Sequence, residues 1–304
     1  MDEPVFTVAV TGLNAIDSPG SGVGVIRSLR DAEDFKVRII GLVYESLEPG
    51  VYMEGIADRC YMIPYPSAGR EALLADKFEM LDKMHLHEFG AAHDFDVPKT
   101  RFISSKAQAE DIEDDFEYPL VVKGKFYEAY IAHNRGQVLS YFDKLNAKWG
   151  LPVIIQEFVK GTEIDIAGLG DGKGKLMGAV PMRKLYITDK GKAWSGIVID
   201  DPELLRLTRR FVRESRWTGG FELEIMRTKD NRNFIMEVNP RFPAWIYTTA
   251  AAGQNLPAAL VRLVMGLEAK PYKSYRTGTM FVRYAWDNIT HISEFEKISN
   301  YGER

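Results

Sequence analysis

The residues with the clearest chemical promise lie in two runs. They are Gly220-Phe221-Glu222-Leu223-Glu224-Ile225-Met226 and Phe234-Ile235-Met236-Glu237-Val238-Asn239-Pro240-Arg241. Both alternate apolar and polar residues, and the turn-forming stretch Thr228-Lys229-Asp230-Asn231-Arg232-Asn233 joins them, which predicts a β-hairpin. Side chains on a strand alternate faces, so Phe221, Leu223 and Ile225 share one face and Glu222 and Glu224 the other. On the second strand Phe234, Met236 and Val238 form the apolar set, opposite Glu237 and Asn239. With the turn midpoint between Asp230 and Asn231, Glu224 stands across from Glu237 and Glu222 across from Asn239. Like charges placed so, with Cβ atoms roughly 5 Å apart, destabilise a sheet. A divalent cation reverses that penalty, and magnesium takes oxygen ligands, commonly one or two carboxylates plus phosphate oxygens. A solvated polar face is the simpler reading of any amphipathic hairpin. Three carboxylates, an amide and Arg241 on one face argue for the cation.

The elements around the hairpin set its context. Residues 5–10 form a β-rich run, followed by a turn-rich stretch with Pro19, Gly20, Gly22 and Gly24. A helix over 25–30 and a strand over 37–43 complete a strand-loop-helix-strand order, expected of a small doubly wound α/β domain. After Pro64, Pro66 and Gly69, residues 70–89 carry Leu73, Leu74, Phe78, Leu81 and Met84 near helical spacing. Val97-Pro98-Lys99-Thr100 opens a new unit with strands over 118–123 and 153–158 and a helix over 138–145. Asp200-Asp201-Pro202 supplies a cap and a first-turn proline for a helix to about residue 215. A last helix spans about 257–265, stopped by Gly266.

The hairpin residues Glu237-Val238-Asn239-Pro240-Arg241, placed after a carboxylate-bearing strand, resemble the metal-binding strand of the ATP-grasp superfamily. Its members include D-alanine–D-alanine ligase, biotin carboxylase and the carbamoyl phosphate synthase large chain. The resemblance runs from about Lys83 to Gly266. It implies that Glu224, Glu237 and Asn239 hold magnesium (manganese being the alternative ion) and that Arg241 faces the phosphate being transferred. Tyr118-Pro119-Leu120-Val121-Val122-Lys123 is similar to the strand whose lysine contacts nucleotide phosphates, so Lys123 is implied in both ATP binding and catalysis. Lys83 resembles the earlier ATP-binding lysine, with Asp76-Lys77 as a competing register. Gln156-Glu157-Phe158-Val159-Lys160-Gly161-Thr162-Glu163 resembles the hinge segment. There the backbone at Glu157 and Val159 would meet the adenine edge and Glu163 the ribose hydroxyls, with Gln156 beside them. The bland alternative is a strand leaving the core through a glycine turn.

The implied fold is mixed, α/β and α+β. A shortened N-terminal doubly wound domain (1–76) precedes an ATP-grasp domain (77–304), with a small lobe over about 101–155 and a large lobe over about 156–304. Two departures from the family stand out. The loop after the lysine strand, Lys123-Gly124-Lys125-Phe126-Tyr127-Glu128, has one glycine where relatives have several, so Lys125 is expected to supply charge in place of cradling amides. Between Pro64 and Lys83 there is too little chain for the further strand and helix that relatives carry.

Composition narrows the classes. The chain has 304 residues, and its 45% hydrophobic and 27% charged content is that of a folded protein. A net charge of -4 argues against a dedicated nucleic-acid binder. One cysteine, Cys60, excludes an internal disulfide. The chain shows no signal-like start and no apolar run of membrane-spanning length, so a cytoplasmic protein without a membrane partner is expected. Gly20-Ser21-Gly22-Val23-Gly24 with Glu45 imitates a nicotinamide fingerprint, but the third glycine comes too early and a long loop precedes them. These amides are expected instead to face an anionic substrate at a helix N-terminus.

Three functions follow. The first is a ligase that joins a small-molecule or peptide carboxylate to an amine through an acyl phosphate. The second is phosphorylation of bicarbonate or carbamate, as in carboxylases or carbamoyl phosphate synthase. The third is nucleotide binding without catalysis. Arg183, Lys184, Trp194 and Arg283 are candidates for the acceptor pocket. Neither the two substrates nor the oligomeric state is legible here.

Overall fold

The computed structural model describes residues 4–14, 20–64, 83–124, 128–188, 193–284 and 287–304. The chain divides into two compact units, one comprising 1–75, 164–224 and 239–304, the other 76–163 and 225–238. The first 75 residues therefore group with the large-lobe segments, and the 101–155 stretch lies within the second unit.

The first unit opens with β1 (Val5–Val10), α1 (Gly22–Arg30), β2 (Lys36–Val43) and β3 (Arg59–Met62). These strands form a parallel sheet in the order β1-β2-β3, with Val5 opposite Lys36 and Ile40 opposite Arg59. The alternation in β2 buries Val37, Ile39 and Val43 against Ile26 and Leu29 of α1. The sequence reading found β1, α1 and β2 but not β3, whose four residues give too short a periodic signal. Gly20 and Gly22 are demanded by packing. A Cβ on Gly20 would lie 2.1 Å from Gly12 O, and one on Gly22 2.3 Å from Thr11 O. The amide of Gly22 donates to Gly12 O (2.9 Å), so it is not the anion-binding amide expected above. Residues 15–19 and most of the stretch 70–89, where a helix is expected, lie outside the described residues; α2 spans Lys83–His93.

The same unit contains β8 (Thr162–Asp171), β9 (Leu176–Ile187), β10 (Ala193–Val198) and β13 (Met280–Val282), all antiparallel neighbours, with β11 (Thr218–Arg227) beyond β8. β12 (Asn233–Asn239) completes the hairpin with β11, whose tip is grouped with the second unit. α5 (Pro202–Ser215) begins as its residues dictate: Asp201 accepts from the amide of Leu204 at 3.0 Å and Pro202 occupies the first turn. α6 (Tyr247–Ala251) and α7 (Leu256–Val264) cover a core of Met182, Phe242, Trp245, Ile246 and Leu256.

The second unit has an antiparallel sheet in the order β4-β7-β5-β6, built from β4 (Thr100–Ile103), β5 (Leu120–Lys123), β6 (Ala129–Ala132) and β7 (Val153–Glu157). α3 (Lys106–Glu110) and α4 (Arg135–Trp149) accompany it, and Leu120, Val122, Phe142, Leu145 and Ile155 fill its core. Among the described residues no helix is long and apolar enough to cross a membrane.

The open edge of β3 is covered by the C-terminal segment that follows α8 (Ile292–Tyr301). Cys60 N donates to Arg304 O (2.7 Å), Arg304 N to Cys60 O (2.9 Å) and Met62 N to Gly302 O (2.7 Å). Arg304 also bonds Val51 O and the Glu294 carboxylate. Removing residues 302–304 is expected to cost about 1–3 kcal/mol, since each bond contributes about 1 kcal/mol net. Urea unfolding reads the loss, and amide exchange at Cys60 and Met62 should quicken in the same variant. Unchanged exchange there would show that the segment does not hold this edge in solution.

Candidate active site

The β11–β12 hairpin forms as expected, with one correction. The amide of Asn231 donates to Thr228 O (3.1 Å) and that of Thr228 to Arg232 O (3.0 Å), while Asn231 adopts a φ of 64°. The turn is thus centred on Asp230 rather than between Asp230 and Asn231, because Asn231 takes the left-handed position as an extra residue.

At the base of the hairpin, in the first unit, three polar side chains converge on Glu222. Asn239 Nδ2 donates to Glu224 Oε1 (3.0 Å) and to Glu222 Oε2 (3.4 Å). Arg241 Nη1 donates to Glu222 Oε2 (3.1 Å), and Trp245 Nε1 to Glu222 Oε1 (3.0 Å). On the next strand, Asp165 pairs with Lys184 Nζ at 3.3 Å, and both side chains are nearly sealed from solvent. Burial pushes the Asp165 carboxyl well up; Lys184 pulls it back, and the charges of Glu222 and Glu224 push it up further. Burial likewise raises Glu222, against the pull of Arg241 and with the push of Glu224. The structure therefore brings Glu224, Asn239 and Arg241 together with Lys184 and adds two carboxylates outside the expected site set, Asp165 and Glu222. The alternation of Glu163-Ile164-Asp165-Ile166 was a readable sign that Asp165 faces the polar side of β8.

Glu237 is half-buried on β12 in the part grouped with the second unit. Among the described residues no three His, Cys, Asp or Glu side chains form a ready cage. Within the first unit, the donor chemistry at Glu224 and Asn239, one carboxylate and one amide, is of the oxygen type that magnesium takes.

In the second unit, Lys123 ends β5 as expected and its Nζ donates to Gln156 Oε1 (2.6 Å). Gln156 Nε2 donates to Thr100 Oγ1 (3.0 Å), which donates to Pro98 O (2.9 Å). Gln156 is therefore a buried support for Lys123. Glu157 is engaged by Lys99 at both its amide, which donates to Lys99 O, and its carboxylate, which accepts from Lys99 N. The backbone N–H of Glu157 is thus committed to Lys99 within the second unit. The Val159 side chain is buried, and Glu163 lies on β8. A Cβ on Gly161 would meet Arg227 O at 2.2 Å, so this turn admits only glycine. Lys83 is the first residue of α2, and Lys125, with Phe126 and Tyr127, lies outside the described residues.

The other pocket candidates separate. Arg183 precedes Lys184 in β9, so it points to the opposite face, where it is exposed. Arg283 donates from its amide to Trp194 O (2.9 Å) and from Nε to Ala193 O (3.0 Å), tying it to the backbone of β10 beside the exposed Trp194.

Residues 151–286 match a family described as ATP-grasp in the biosynthetic pathway with Ter operon. The biotin carboxylase domain of Hydrogenobacter thermophilus 2-oxoglutarate carboxylase is similar in structure, with a TM-score of 0.68 at 15% identity over 91% of this chain and 73% of its own. N5-carboxyaminoimidazole synthase from Aspergillus clavatus gives 0.63 at 11%, over 88% and 78%. Phosphoribosylglycinamide synthetase from Anaerococcus prevotii gives 0.59 at 12%, over 92% and 80%. A search of curated proteins finds no match.

Lys184→Met would leave the Asp165 carboxylate buried without its cation. Losing that attraction raises the folded pKa of Asp165 further above its unfolded value. Stability is then best below the unfolded pKa and is lost as pH rises through the folded one. The variant should therefore lose about 3 kcal/mol or more near neutral pH and above, and approach the parent in mild acid. Urea midpoints measured across pH check this; a deficit independent of pH would mean that Asp165 does not carry the charge assigned to it.

Proposed function

We propose that this chain, which matches an ATP-grasp family over residues 151–286, uses ATP and magnesium to activate a carboxylate as an acyl phosphate, which an amine then attacks. The observation that carries this reading is the convergence of Glu224, Asn239 and Arg241 at the base of the β11–β12 hairpin. Relatives in structure support it: the Hydrogenobacter domain was solved with MgADP, ADP and bicarbonate, and the Aspergillus enzyme with ADP and an aminoimidazole ribonucleotide.

A carboxylate is a poor electrophile because resonance stabilises it and its leaving group is oxide. In the first step a carboxylate oxygen bonds to the γ-phosphorus of ATP and the bond to the β-phosphate oxygen breaks, releasing ADP. In the second, the amine attacks the acyl carbon, inorganic phosphate leaves, and the amine's proton passes to solvent. The protein's contribution is positioning and charge. Lys123, with Lys83 and Lys125, is assigned to the phosphates, and the 156–163 segment to the adenosine. Glu224, Glu237 and Asn239 would hold the magnesium ion, whose charge offsets that of the phosphates when it is bound. Arg241 meets the transferring phosphoryl group.

ADP release across panels of carboxylates and amines tests the reading. Glu237→Gln should keep the fold and lose magnesium-dependent release by about a hundredfold. Hydroxylamine, added in place of the amine, should give a hydroxamate. ATP cleavage that needs bicarbonate and no organic acid would move the assignment to bicarbonate. If no substrate pair releases ADP, and Lys123→Ala binds a non-hydrolysable ATP analogue as tightly as the parent does, the enzymatic reading fails.

A further inference from the structure

Glu222 has no part in the chemistry above, yet it is the most heavily bonded side chain of the hairpin base. Its side chain is 7% exposed. One carboxylate oxygen accepts from Trp245 Nε1, and the other from Arg241 Nη1 and Asn239 Nδ2. Trp245 is itself locked in the core with Phe242, Ile246 and Met182. The bonds thus run from the core through Trp245 to Glu222, and from Glu222 to two side chains of the proposed reaction centre. Among the described residues, the hydrogen bonds of Arg241, to Glu222 and to Phe242 O, both use Nη1, and 47% of its side chain is exposed. A guanidinium has five N–H donors in a rigid fork, so fixing one nitrogen orients the rest.

We propose that Glu222 is a positioning residue: it fixes Arg241, so that the exposed N–H groups of Arg241 meet the moving phosphoryl group already oriented. This rests on the ligase reading. A donor set in advance costs no reorganisation as charge develops, so the benefit belongs to the transition state and not to bound ATP.

The test compares two ligands by calorimetry in the presence of magnesium. One is a non-hydrolysable ATP analogue, the ground state. The other is ADP with aluminium fluoride, which mimics the phosphoryl group in transfer. Glu222→Gln should bind the mimic about tenfold more weakly, the loss of a charge-assisted bond, and the analogue within about twofold of the parent. Because Glu222 acts through Arg241, the double variant Glu222→Gln/Arg241→Ala should bind the mimic no more weakly than Arg241→Ala alone. Additive losses overturn the proposal. So does a raised magnesium requirement for analogue binding, which would make Glu222 a metal ligand. Trp245→Phe keeps the carboxylate and removes one of its anchors. It should show a smaller loss confined to the mimic, and if Glu222→Gln does not fold, equal binding of both ligands by Trp245→Phe overturns the proposal. Failure of the unaltered protein to bind the analogue overturns the ligase reading as well; analogue binding without the selective loss overturns the role of Glu222 alone.

Discussion

Negative charge buried on neighbouring strands is the constraint around which the first unit is arranged. Asp165, Glu222 and Glu224 repel one another, and burial makes the charges of Asp165 and Glu222 more costly. The fold meets this with one cation for each deeply buried carboxylate, Lys184 against Asp165 and Arg241 against Glu222. Replacing such pairs by apolar residues often costs little, whereas removing one partner costs a great deal. Pairs of this kind are therefore better explained by what they hold in place than by stability. Here they hold two cations, one sealed and one half-exposed, on the polar face of the sheet.

The second unit treats its lysine in a related way with neutral groups. The ammonium of Lys123 can only donate, so it fixes the carbonyl end of the Gln156 amide toward itself. The amide's NH₂ must then face Thr100, whose hydroxyl must donate to Pro98 O. Every proton in the chain has one direction. A part-buried polar network satisfied in this way is rigid, and it holds the Lys123 ammonium at a set point.

Among the described residues the N-terminal sheet has three strands, and its edge is covered by residues far away in the sequence. The three-stranded sheet would leave β3 as an open edge, a row of unpaired amides and carbonyls. The segment 302–304 covers it, and the Arg304 bonds to Val51 O and Glu294 secure it. The glycine loop that imitates a nucleotide fingerprint has a mechanical cause. The backbone at Thr11 and Gly12 passes too close to residues 20 and 22 for any side chain.

What could be read from the chain alone was whatever depends on near neighbours. Alternation placed Glu222, Glu224 and Asn239 on one face, Asp201 and Pro202 marked the start of α5, and Lys123 was placed at a strand end. The motif from Glu237 to Arg241 pointed to the ATP-grasp fold. The resemblance did not reveal which of these side chains touch. Beyond Asp165, β8 is buried to Gly170, as β9 is from Met177 to Met182, so these stretches lack the alternation that marks β11 and β12. The pairing of Asp165 with Lys184 depends on the register of β8 against β9, and the hold of Glu222 on Trp245 depends on the chain turning back after Pro240. The cover on β3 joins residues from opposite ends of the sequence. Contacts of this kind are set by packing between segments, and no local pattern encodes them.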